Sequence, residues 1–66
     1  MYIVIELQKN ADGQVANLVP AHNSLAEAER KYYTILASAA INDASVHSAI
    51  IVSEEGFPVK YQCYKH

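Results

Sequence analysis

Apolar residues at Leu25, Ala28, Tyr32, Ile35 with Leu36, and Ala39 recur at alternating spacings of three and four. That is the period of one helix face, and it predicts an amphipathic helix from Ser24 to Ile41 whose core stripe these residues form. Ser24 followed by Glu27 is a capping-box signature, the hydroxyl accepting from the Glu27 amide and the carboxylate reaching back to the Ser24 amide. Asn42 can adopt the left-handed conformation that ends a helix. A second line, Ala26, Tyr33, Ala37 and Ala40, carries no charge and is mostly small. A lone helix on a sheet needs one buried stripe, so the second implies a partner, most simply another copy of the chain.

The rest of the chain reads as strands. In Tyr2 to Gln8, Ile3, Ile5 and Leu7 alternate with Tyr2, Val4, Glu6 and Gln8, and the first set is expected to face the helix. Asn10-Ala11-Asp12-Gly13 is turn chemistry for a hairpin, and Gln14 to Val19 returns as a second strand that stops at Pro20. Val46 to Ser53 is a third strand, Glu54-Glu55-Gly56 repeats the turn logic, and Phe57, Val59, Tyr61 and Cys63 alternate with polar residues in a fourth. The first and third strands are the most apolar and should be central. A right-handed crossover through the helix then gives an α+β fold, β-β-α-β-β, with an antiparallel sheet in the order 2-1-3-4 and the helix on one face. The other face would show Tyr2, Val4, His47 and Tyr64 to solvent. Residues 1–66 form a single domain on this reading.

A chain of 66 residues is near the lower limit for folding unaided, which again favours self-association. Cys63 is the only cysteine, so no intrachain disulfide forms, and one unpaired thiol fits a reducing compartment such as the cytoplasm. The net charge of -2, with Arg30 the sole arginine, lacks the basic footprint of a nucleic-acid binder. The opening Met1 to Ile5 has no positive n-region and is broken by Glu6, so neither a signal segment nor a membrane span is expected.

Few residues carry candidate chemistry. Cys63 and His66 fall on opposite sides of a strand with no second ligand pair nearby, so no metal or other cofactor is expected; they read as a buried thiol and a frayed terminus. Catalysis by Cys63 with His47 would need hydrogen-bond reach and an oxyanion site, and there is no Gly-rich loop or nucleophile elbow. A binding protein is therefore expected rather than an enzyme. The aromatic and basic residues offer more, because tyrosine faces stack on nucleobases and guanidinium groups pair with phosphate. Tyr32 and Tyr61 read as core packing and Glu27 with Lys31 as a helical ion pair. That leaves Arg30 for phosphate, Tyr33 and Tyr64 for stacking and His47 for a hydrogen bond to base or ribose, although a histidine on a half-buried strand is more often a satisfied one than a ligand contact.

The segments MYIVIELQKNADG, EAERKYYTILASAA, VHSAI with EEG after it, and the terminal CYKH resemble a family of very short proteins encoded by phages and integrated elements of gut Firmicutes. By analogy of size, assembly and context, the resemblance implies a homodimeric anti-defense sponge. Such a protein sequesters a nucleotide immune signal, an ADP-ribose conjugate or a cyclic nucleotide, without turning it over. The alternative is an interaction module that inhibits a host protein through its sheet face or an edge strand.

Overall fold

A computed structural model describes residues 1–41 and 44–66, so the expected cap at Asn42 lies outside the described residues. The elements are β1 (Tyr2–Lys9), β2 (Val15–Leu18), β3 (Ala21–His22), α1 (Leu25–Ile41), β4 (Val46–Ser53) and β5 (Pro58–Lys65). They form the expected α+β architecture, one helix packed on an antiparallel sheet, with β1 and β4 in the centre of the path β2-β1-β4-β5. The sheet has a fifth strand that the sequence reading missed, β3, which also pairs with β1.

That extra strand corrects the expectation that pairing stops at Pro20. Glu6 faces Leu18 and Ile3 faces Ala21, so β2 and β3 keep one register along β1. Between them the Val4 amide donates to the Pro20 carbonyl at 3.0 Å. Pro20 removes one donor from an edge line that otherwise continues.

Both hairpins form as their turn residues dictate. The Asn10 amide donates to the Gln14 carbonyl at 2.9 Å, and the Gly13 amide to the Asn10 carbonyl at 3.0 Å. Ser53, Gly56 and Phe57 repeat the arrangement at 2.8 and 2.9 Å. Gly13 and Gly56 sit at φ of +90° and +93°, the left-handed position that closes a three-residue hairpin loop.

At the start of α1, the Ser24 hydroxyl accepts from the Glu27 amide at 3.2 Å. Ala28, Tyr32, Ile35 and Ala39 are buried along its length, which is the predicted core stripe. The second stripe, Ala26, Tyr33, Ala37 and Ala40, is exposed.

The covered side of the sheet is the reverse of the one expected. Val4, Ala49 and Ile51 are buried against Ala28, Tyr32 and Ile35, with Tyr2, Leu25 and Leu36 packed around them. His47 shares that side and is 1% exposed. Ile3, Ile5 and Leu7 therefore point away from the helix, and in register with them stand Val52, Ile50 and Ser48. Tyr61, expected in the core, pairs with Ile50 on this open side and is 73% exposed. The reason is that both alternations of β1 are apolar between Tyr2 and Ile5, so a period of two does not choose between them. The choice falls to the crossover from β3 through α1 to β4, which passes over β1 with a fixed hand.

Two further expectations are corrected at the C-terminal end. Cys63 is exposed on the open side, not buried. His66 is tied down: its amide donates to the Ser45 carbonyl at 2.9 Å, and its Nε2 donates to the Ala39 carbonyl at 3.0 Å, satisfying an acceptor in the last turn of α1. The ring also stacks on Tyr64 at 6.5 Å between centroids.

Ile51 is fully buried beneath α1. Replacing it by alanine should lower the unfolding free energy by about 2–5 kcal/mol. Ser38→Ala, on the exposed side of the helix, should change it by no more than about 0.5 kcal/mol. Urea denaturation measures both.

Candidate functional site

A cleft between β3 and the polar flank of α1 gathers several charged side chains. It encloses about 400 Å³ and is lined by His22, Glu27, Arg30, Lys31 and Thr34. The four helical residues fall at spacings of three and four, so they make one stripe along α1, and β3 brings His22 beside it. Arg30 and Lys31 supply two positive charges and Glu27 one negative, leaving one net positive charge while His22 is neutral. Nε2 of His22 is buried without a hydrogen-bond partner among the described residues. The Thr34 hydroxyl donates to the Arg30 carbonyl at 2.8 Å, which leaves its oxygen free to accept. Such a cleft suits a small anion, because a guanidinium and an ammonium supply charged donors while the solvent-facing side admits the rest of a ligand.

Of the four residues singled out for binding, only Arg30 lines this cleft. Tyr33 stands elsewhere on α1, where the Lys60 ammonium donates to its hydroxyl at 2.9 Å and to the Glu29 carboxylate at 2.6 Å. The same ammonium lies 5.1 Å from the Tyr33 ring centroid. The hydrogen bond that Lys60 donates to Glu29 first, and that to Tyr33 second, raise the pKa of Lys60 well above the ordinary lysine value. Tyr33 is thus engaged in tying β5 to the helix, and its ring meets Tyr32 edge-on at 5.1 Å. Burial, ahead of the neighbouring Tyr33, raises the Tyr32 phenol as well.

His47 and Tyr64 are cross-strand partners on the helix side of the sheet. The His47 Nε2 donates to the Glu6 carboxylate at 2.6 Å, and its Nδ1 is buried without a partner among the described residues. The sequence marked His47 and did not foresee Glu6, because Glu6 is 41 residues away and was placed on the other side from the helix. Tyr64 is half-buried beneath the His66 ring.

His47 and Cys63 lie on opposite faces of the sheet, so this nucleophile and base do not meet. Lys31 was expected to pair with Glu27, yet among the described residues the ion pair on α1 is Glu29 with Lys60. Among the described residues, no three His, Cys, Asp or Glu side chains gather as a metal site, and no helix is long and apolar enough to cross a membrane.

Glu6→Ala should strand the buried His47 Nε2 and cost about 1–3 kcal/mol of stability, whereas Glu6→Gln keeps an acceptor and should cost clearly less. Denaturant melts of the two variants separate a hydrogen-bonding role from mere occupancy. Compared with known proteins, the chain matches no family model, no curated protein and no solved structure.

Proposed function

We propose that the protein binds and sequesters a small phosphate-bearing ligand of the nucleotide class in the cleft between β3 and α1, without turning it over. The observation that carries this reading is the convergence of His22, Arg30 and Lys31 on one cleft, with a buried His22 nitrogen that has no partner among the described residues. Arg30 takes phosphate oxygens in its planar fork, Lys31 adds a second charge, and His22 hydrogen-bonds an oxygen of the bound group. The nucleotide class and a bacterial cytoplasmic location are what the resemblance to short phage proteins, and the analogy with anti-defense sponges, implies. Sequestration rather than turnover is supported by the separation of Cys63 from His47 and by the engagement of His47 with Glu6.

The test is a thermal-shift series with inorganic phosphate, ADP-ribose and cyclic dinucleotides, followed by recovery of the compound after denaturation. A ligand at one hundred times its dissociation constant adds about 2.7 kcal/mol to folding and should raise the melting temperature by several degrees. Arg30→Ala should leave the unliganded melting temperature unchanged, because Arg30 is exposed, and abolish the shift. Absence of any shift overturns the reading, and recovery of a cleaved compound replaces a sponge with an enzyme.

A further inference from the structure

The side of the sheet that α1 leaves open is an apolar surface. Ile3, Ile5, Leu7, Ile50, Val52 and Tyr61 form it across β1, β4 and β5, and their cross-strand registers place them on one face. Charge on this face is confined to one end, where Lys9 and Lys65 flank Val46. The opposite end of β4 leads into the turn that carries Glu54 and Glu55, both exposed. The face is therefore apolar along its middle and basic at one end, and the turn beyond its other end is acidic, with Glu55 exposed and Glu54 lying 3.5 Å from the Met1 ammonium. A surface of that kind complements itself when inverted.

We infer that this face is the interface of a homodimer in which two sheets pack face to face, related by a two-fold axis that runs in the interface across the strands. That axis reverses the strand direction between copies, setting Lys9 and Lys65 of one copy over the Glu54-Glu55 turn of its partner. An axis along the strands would instead set lysine over lysine, so the charge distribution selects between the two face-to-face arrangements. Sheets packed this way lie about 10 Å apart, close enough for the Ile5, Ile50 and Tyr61 row to interdigitate with its copy.

The size is adequate. The molecule measures 34 × 19 × 15 Å, so its broad side has a footprint of at most roughly 600 Å² per copy, or about 1,200 Å² between two, which reaches the lower end for a specific interface when the whole face is covered. The second stripe on α1 is a poorer candidate, because its largest member, Tyr33, is engaged by Lys60 within the chain. The cleft of His22 and Arg30 is on the helix side, so each copy keeps its own cleft open and the inference stands apart from the ligand reading.

Tyr61 is 73% exposed in the single chain, so Tyr61→Lys leaves the fold intact while placing a charge inside the interface. Sedimentation equilibrium of the unmodified chain should give twice the chain mass, and Tyr61→Lys should weaken association by at least about 100-fold. Cys63, exposed in the single chain, should react with a thiol reagent markedly faster in Tyr61→Lys than in the unmodified protein. Lys65→Glu and Glu55→Lys should each weaken the dimer at low salt, and together restore it. A chain that stays monomeric at every concentration overturns the inference, as does a dimer that persists in Tyr61→Lys but dissociates in Ala37→Glu. Failure of the charge swap to restore association overturns the direction of the two-fold axis.

Discussion

The chain supplies a single helix of 17 residues for a sheet whose two faces are both apolar, and the side on which that helix lies decides what almost every other residue does. On the covered side, small residues let the layers approach: Ala28, Ala39 and Ala49 are fully buried, and Tyr32 fills the space between them. The same placement carries Glu6 and His47 under the helix, where each would be costly alone. Their 2.6 Å hydrogen bond removes most of that cost and fixes the ring of His47. At the margins, Lys60 reaches from β5 to Glu29 and Tyr33, and His66 reaches to the end of α1. Polar contacts thus tie the last strand to the helix along its length, while apolar contacts fill the middle.

Residues with a local job were legible from the sequence. Ser24 caps α1, Gly13 and Gly56 close their hairpins, and Ala28, Tyr32, Ile35 and Ala39 of the stripe are buried as its period demands, with Leu25 and Leu36 partly buried beside them. These depend on neighbours within a few positions. The side of the sheet does not, because Ile3 and Ile5 are as apolar as Tyr2 and Val4, and only a three-dimensional crossover distinguishes them. Pro20 misled for a related reason: it removes a donor, but the carbonyl of the same residue keeps the edge line going through Val4.

The candidate site shows the same division. Arg30 stood out as the sole arginine, while Lys31 was assigned to an ion pair with Glu27 that is absent among the described residues. The signal that could have found the cleft is the polar stripe Glu27, Arg30, Lys31 and Thr34, which has the same helical period as the core stripe. His22 could not be added without knowing that β3 lies along the helix. Tyr33 and His47 have the right chemistry for a ligand, but intrachain partners hold them, and such partners come from segments distant in sequence.

The central claim is that α1 covers the side of Val4, Ala49 and Ile51 and leaves the side of Ile3, Ile5 and Ile50 open. Nuclear Overhauser contacts from the Tyr32 ring to assigned methyl groups test it most directly. The account predicts contacts to the methyls of Val4, Ala49 and Ile51 and none to those of Ile3, Ile5 or Ile50. Contacts from Tyr32 to Ile5 or Ile50 would contradict it, because they would put the helix on the other side of the sheet and free His47 to face solvent.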